Sequence, residues 1–201
     1  MQKIIDFLVQ KYNPDCLILY GSYADGSYNA NSDLDALVLA DVSEATHDVS
    51  EVDGIQLDVF VYPADMALNP EDYPQLYHSK ILIDCKGRGQ KLCDAVKKHI
   101  DRYPVKSHEE ISNDIVWCEK MLSRTKRGDA EGFYRWHWVL CDSLEFYCAI
   151  RGWFYFGPKK TLLLMQRHDS VAYEIYFQAL RSMDYGRLAR WVDFLKRELR
   201  G

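Results

Sequence analysis

A β-strand is predicted at Asp33-Leu34-Asp35-Ala36-Leu37-Val38-Leu39, in which two acidic residues open an apolar run. Residues i and i+2 of a strand point to the same face, roughly 6.5 to 7 Å apart, so these two carboxylates can bracket a hard cation. A third acidic residue, Asp58, lies inside the apolar run 55–61. Carboxylates are costly to bury, and three at one point repel each other unless a cation lies among them. The sequence therefore predicts a buried metal site.

The first half of the chain alternates helix-like and strand-like segments. The dipeptide Asp53-Gly54 is a strong signal for a two-residue hairpin, and it lies between strand-like residues 48–52 and 55–62. That hairpin places Asp58 on a strand next to the one that carries Asp33 and Asp35. Around it, the apolar spacing predicts a helix over 2–12, a buried strand over 15–20 that ends at Gly21-Ser22, and a last strand over 80–85.

After Gly89 the pattern becomes helical. Tyr103-Pro104 marks a boundary, because proline disfavours helix in the residue before it, and Ser107 with Glu110 has the spacing of a capping box. We therefore expect an α+β protein: a mixed β-sheet domain with flanking helices over residues 1–103, then a helical bundle over 104–201. The helices are predicted over 90–102, 107–127, 129–151, 158–167, 169–182 and 185–199.

The composition excludes several classes of protein. Of 201 residues, 48% are hydrophobic, which is ample for a core, and the net charge of -5 disfavours a long nucleic acid as partner. Six scattered cysteines without a C-x-x-C pair argue against a zinc knuckle or a disulfide framework. No apolar run approaches the ~20 residues of a membrane span, and the first residues have helical spacing instead of a secretory leader, so we expect no membrane association and a cytoplasmic location.

Gly21-Ser22 adds a second chemical element to the acidic residues. The pair follows a predicted strand, where free backbone N–H groups and a hydroxyl can hold phosphate oxygens. A phosphate-holding turn beside clustered carboxylates has the parts needed for two-metal phosphoryl or nucleotidyl transfer. Each part alone is ordinary, since Gly-Ser is common in turns and Asp-x-Asp is common at solvated strand ends. Their joint occurrence in one short α/β segment favours the functional interpretation.

Gly21-Ser22, Ser32-Asp33-Leu34-Asp35 and the later Asp58 resemble the signature of the DNA polymerase β-like nucleotidyltransferase superfamily. The resemblance covers about residues 15–62. It implies that Asp33 and Asp35 bind two Mg²⁺ ions, that Asp58 binds the catalytic one, and that Ser22 contacts the β- and γ-phosphates of ATP or another NTP. The chain departs from many small members at Asp25, where those members carry a basic residue.

The helical half offers weaker candidates on the segment 129–151. Trp138, Asp142 and Glu145 lie on the face opposite the predicted core, which is either solvated or the wall of a cleft. Transfer to a hydroxyl needs a base, and Asp142 and Glu145 are candidates, with Asp58 as an alternative. Helical spacing assigns the core to a stripe of five residues: Phe133, Trp136, Leu140, Leu144 and Tyr147.

Gly157-Pro158-Lys159-Lys160 is the other candidate segment. Proline suits the first position of a helix, but two lysines there oppose the helix dipole by about 0.3 to 1 kcal/mol each. A bound triphosphate or pyrophosphate would remove that conflict. Two solvated lysines are an equally good interpretation.

An α/β nucleotidyltransferase half followed by a helical bundle resembles the antibiotic nucleotidyltransferases of the kanamycin and lincosamide type. This resemblance implies transfer of AMP from ATP to a small hydroxylated acceptor with release of pyrophosphate, a substrate-binding role for the helical half, and antibiotic resistance as the outcome. The acidic balance agrees with a polycationic aminoglycoside as acceptor. We expect a monomer or homodimer.

Three alternatives stay open. The minimal nucleotidyltransferases of toxin–antitoxin pairs resemble the same motif and AMPylate a partner protein. A non-enzymatic nucleotide sensor is disfavoured because all three acidic residues are present. A polynucleotide polymerase is disfavoured by the charge and by the small size of the chain.

Overall fold

The computed structural model describes residues 1–200, which form two compact units, one over 1–102 and the other over 103–200. The first unit is a mixed α/β structure and the second is helical. We call them the α/β unit and the helical unit. The α+β class predicted from the sequence is confirmed.

The α/β unit is built on a sheet of six strands. The order of its main path is β3-β5-β2-β1-β6, with β4 paired to β5. The pair β2·β5 is parallel, and the other pairs are antiparallel. The strands are β1 (Cys16–Leu19), β2 (Leu34–Ala40), β3 (Thr46–Asp48), β4 (Glu51–Val52), β5 (Ile55–Pro63) and β6 (Lys80–Asp84).

Three helices accompany this sheet: α1 (Gln2–Tyr12), the short α2 (Gly21–Asp25) and α3 (Arg88–Asp101), with 3₁₀ turns at Pro70–Asp72 and Pro74–His78. Ile4 and Leu8 of α1 join one buried cluster with alternate residues of the central strands. On β5 the alternation is clear, since Leu57 is buried and Asp58 is half-buried on the opposite face. One face of the sheet therefore joins this cluster, and the opposite face carries Asp35 and Asp58 beside buried apolar residues such as Leu37.

The predicted hairpin is present. Asp53 and Gly54 both have left-handed backbones, with φ of 57° and 77°, as a tight two-residue turn requires. The strand before the turn is interrupted, however, because the Asp48 carboxylate accepts hydrogen bonds from the backbone N–H and the hydroxyl of Ser50. The expected strand 48–52 is therefore β4 plus the end of a separate strand, β3.

The helical unit contains α4 (His108–Arg124), α5 (Ala130–Ile150), α6 (Pro158–His168), α7 (Ser170–Leu180) and α8 (Tyr185–Glu198), with a 3₁₀ turn at Thr125–Arg127. The capping box of Ser107 and Glu110 is formed at the start of α4, as predicted. The core surrounds Trp191, which is fully buried and donates its indole N–H to the Ser143 hydroxyl at 2.8 Å.

One core assignment on α5 is wrong. Phe133 is 49% exposed, whereas the other four residues of the predicted stripe are buried. The stripe passes through Gly132 instead, where a Cβ would lie 3.1 Å from the carbonyl oxygen of Thr125. The close approach of the preceding turn takes up the core side of α5, and Phe133 is turned away from it.

Within residues 1–200, no helix is both long and apolar enough to cross a membrane.

Candidate functional site

The three acidic residues meet where the start of β2 lies beside the middle of β5. Asp35 and Asp58 are direct partners in the parallel β2·β5 ladder, and Asp33 precedes β2 by one residue. Each of the three can offer a carboxylate oxygen such that the three oxygens lie within 4.8 Å of one another. The Asp-x-Asp spacing and the register of the parallel β2·β5 pair together produce this cluster, which we call the acidic triad.

The acidic triad is more open than the sequence predicts. Asp33 is exposed, and Asp35 and Asp58 are half-buried. The expectation of a buried site is therefore wrong, because Asp33 precedes β2 and the side chains of Asp35 and Asp58 lie on the sheet face opposite the buried cluster. Three carboxylates this close to one another still repel each other. Their oxygen atoms are the ligands that a hard divalent cation such as Mg²⁺ prefers, and such a cation would remove the repulsion.

Position 21 requires glycine because its backbone lies against the acidic triad. Its backbone is left-handed, with φ of 65°, and a Cβ at this position would lie 1.9 Å from Oδ2 of Asp35. The preceding residue, Tyr20, donates its backbone N–H to the carbonyl oxygen of Asp35 at 3.0 Å. Only glycine permits both the conformation and the close approach. The turn after β1 is thus held directly against the carboxylate of Asp35.

The two serines of the motif differ in their surroundings. Ser22 is buried on α2, at 5% exposure. Ser32 is half-buried, and its hydroxyl accepts the backbone N–H of Asn29 at 3.0 Å, which closes the turn before β2. Ser32 therefore orders the segment that leads into Asp33.

Tyr20 places a phenol beside the acidic triad. Burial and, next, the charges of Asp35 and Asp58 raise the pKa of its hydroxyl well above the usual range. The side chain is 7% exposed. Tyr20 therefore remains a neutral hydroxyl next to the carboxylates.

His47 is a neighbour of the acidic triad that the sequence did not reveal. Its Nε2 lies 2.5 Å from Oδ1 of Asp58. The residue belongs to β3, a strand of three residues with no apolar periodicity of its own, so no sequence pattern pointed to it. Only the pairing of β3 with β5 brings the two side chains together.

The remaining candidates lie on α5 and α6 of the helical unit. Asp142 is half-buried, and burial raises the pKa of its carboxyl despite a hydrogen bond with Trp138 that lowers it. The Glu145 side chain is 52% exposed, with one carboxylate oxygen 3.9 Å from Nζ of Lys106. Lys159 is exposed and Lys160 half-buried in the first turn of α6.

The sequence of the α/β unit is similar to that of a known protein family. The family model described as "Nucleotidyltransferase domain" matches residues 1–101. Solved structures that match include the crystal structure of a nucleotidyltransferase-like protein from Exiguobacterium sibiricum, with 12% sequence identity and a TM-score of 0.42. That match covers 99% of this chain and 72% of the other. No curated protein matches the chain.

Proposed function

The chain belongs to the nucleotidyltransferase domain family, and on that premise we propose that it transfers AMP from ATP to a hydroxyl of a small acceptor, with release of pyrophosphate. The observation that carries the proposal is the acidic triad, in which Asp35 and Asp58 are register partners and Asp33 lies two residues from Asp35. Nothing in the core requires three carboxylates at this point of the sheet.

The acidic triad fits a magnesium site by the chemistry of its ligands. All three side chains offer oxygen, which Mg²⁺ prefers, and at least one oxygen of each lies within 4.8 Å of the others. We assign two Mg²⁺ ions to the site, with Asp33 and Asp35 holding both and Asp58 holding one. When bound, such ions neutralise the triphosphate and the charge that develops on the attacking and leaving oxygens.

The residues of the chain then have separate tasks. The acceptor oxygen forms a bond to the α-phosphorus while the bond from that phosphorus to the oxygen of the β-phosphate breaks, and pyrophosphate leaves. Gly21 and Ser22 hold the phosphates, with Ser32 keeping the Asp33 segment in place. We assign contacts with the triphosphate to Lys159 and Lys160 as well.

We assign acceptor recognition to the helical unit. The carboxylates of Asp142 and Glu145 attract a cationic acceptor such as an aminoglycoside-like antibiotic. Asp142 is the preferred general base, because its raised pKa brings it closer to neutral pH, with Glu145 and Asp58 as the alternatives. In this proposal the protein acts in the cytoplasm as a monomer or homodimer and confers antibiotic resistance.

A pyrophosphate-release assay across aminoglycosides, lincosamides and candidate proteins, with each NTP, tests the proposal. We expect release with ATP and a small acceptor, and near-complete loss in Asp33→Asn. The matched control is Asp65→Asn, which changes an exposed acidic residue of the same unit and leaves release unchanged.

The other outcomes of this assay are equally informative. Label from ATP that appears on a protein instead of a small molecule would replace the acceptor class and keep the reaction. Full activity of Asp33→Asn, or no release with any pair of substrates, would contradict the proposed reaction.

A further inference from the structure

Asp58 lies on β5, between the neighbouring strands β2 and β3. On one side its register partner is Asp35 of β2. On the other side lies β3, whose His47 contacts Oδ1 of Asp58 at 2.5 Å. Asp58 is therefore the member of the acidic triad with an imidazole directly against its carboxylate.

The position of His47 is fixed by backbone pairing and by ring packing. His47 is the register partner of Phe60, which is two residues from Asp58 and so lies on the same face of β5. The imidazole stacks on the Phe60 ring, with centroids 4.4 Å apart and planes 5° from parallel. Stacking sets the plane of the imidazole, and that plane aims Nε2 at Asp58.

The direction of the hydrogen bond follows from the chemistry of the two groups. An ionised carboxylate only accepts hydrogen bonds, so Nε2 of His47 carries the hydrogen and donates it to Oδ1. A carboxylate held in this way cannot rotate freely, and it keeps lone pairs for further ligands. Hydrogen bonds to ligating carboxylates are a general means of orienting them, and their loss typically costs about 10–100-fold in metal affinity.

We propose that His47 is a positioning residue that holds the Asp58 carboxylate in the orientation needed for divalent cation binding by the acidic triad. This inference rests on the metal site of the proposed function. His47 lies outside the Gly-Ser and Asp-x-Asp motifs and acts through Asp58. The Phe60 ring supports His47, so β3 serves the site although it carries none of the three acidic residues.

The test measures the affinity for Mn²⁺ alone by isothermal titration with the full chain, without nucleotide. His47→Phe keeps a ring to stack on Phe60 and removes the donor, so we expect the dissociation constant to rise by about 10–100-fold. His47→Gln retains an N–H donor and should recover most of the affinity. Phe60→Leu removes the ring contact while leaving His47 in place, so it should weaken binding less than His47→Phe. Thermal melts check that each variant is folded.

A double variant separates positioning from a structural role. In Asp58→Asn the carboxylate is already lost, so adding His47→Phe should weaken Mn²⁺ binding no further. Unchanged or tighter binding in His47→Phe would overturn the positioning role. Equal losses in His47→Gln and His47→Phe would also overturn it, since the donor would then be irrelevant. Absence of Mn²⁺ binding in the wild-type protein would instead overturn the metal site itself.

Discussion

The two units of the molecule hold their polar side chains in different ways. In the α/β unit, Asp35 and Asp58 are brought together by a strand register, and Gly21 is pressed against Asp35 by its backbone. In the helical unit, Asp142 and Glu145 project from one helix, and their positions depend on side-chain packing and on a 3.9 Å contact with Lys106. In the proposed function, the transfer reaction is assigned to the α/β unit and acceptor recognition to the helical unit.

The largest effect expected on stability lies in the helical unit. Trp191→Ala removes a fully buried ring and leaves the Ser143 hydroxyl without its indole donor, so unfolding should cost about 3–5 kcal/mol less. Urea denaturation followed by circular dichroism measures this. Phe133→Ala is the control on an exposed ring and should cost little. If Trp191→Ala also abolished Mn²⁺ binding, the metal site would depend on the folding of the helical unit, which would contradict the assignment of metal binding to the α/β unit alone.

The second largest effect concerns Gly21. Gly21→Ala puts a methyl group where Oδ2 of Asp35 lies, and displacement of that oxygen should lower turnover by at least about 10²-fold. Gly26→Ala is a matched control, because Gly26 has the same left-handed backbone, with φ of 83°, and an open space for the methyl group. Steady-state pyrophosphate release compares the two. Equal losses would show that backbone strain, and not the contact with Asp35, is responsible.

A similar effect on turnover, without loss of stability, is expected at Asp142. As the proposed general base this residue would contribute about 10²-fold, so Asp142→Asn should lower kcat by that factor. Because its pKa is raised, the acid limb of the wild-type pH–rate profile should lie above the ordinary aspartate range, and the variant should lack that limb. Glu145→Gln, one turn along α5, should affect mainly KM for a cationic acceptor. Normal kcat in Asp142→Asn would leave Glu145 or Asp58 as the base, and a base at Asp58 would contradict the division of roles between the two units.

The smallest effect is a pH-dependent one at Asp48, which is 5% exposed. Burial alone would raise its pKa, but hydrogen bonds from Lys11, Ser50 and Tyr12 hold the pKa well below the usual range. Because the pKa is lower in the folded protein, ionised Asp48 stabilises the fold at any pH above the pKa of the unfolded chain, about 3.9. This contribution is lost progressively as the pH falls from that value towards the pKa of the folded protein.

Asp48→Asn should therefore cost about 1–3 kcal/mol near neutral pH, and the difference from wild type should shrink in acid. Asp53→Asn, at an exposed ion pair with Lys3, provides the control and should have little effect. Urea midpoints at pH 7 and pH 3 give the comparison. A constant difference at both pH values would contradict the assignment.

The sequence predicted the α/β unit best where local signals fix long-range geometry. The dipeptide Asp53-Gly54 predicted the hairpin, and the hairpin predicted the strand β5, which carries Asp58. His47 was missed because β3 is too short to show a pattern. In the helical unit, spacing alone could not show that Gly132 allows a preceding turn to approach α5, so Phe133 was placed in the core wrongly.

The acidic triad as a divalent cation site is tested most directly by Mn²⁺ titration of the wild-type protein, Asp35→Asn and Asp65→Asn, followed by the electron paramagnetic resonance of free Mn²⁺. We expect saturable binding in the wild-type protein and in Asp65→Asn, and strongly weakened binding in Asp35→Asn, because the β2·β5 register places Asp35 directly beside Asp58. Equal binding by the wild-type protein and Asp35→Asn, or no binding by either, would contradict the assignment of a divalent cation site to the acidic triad.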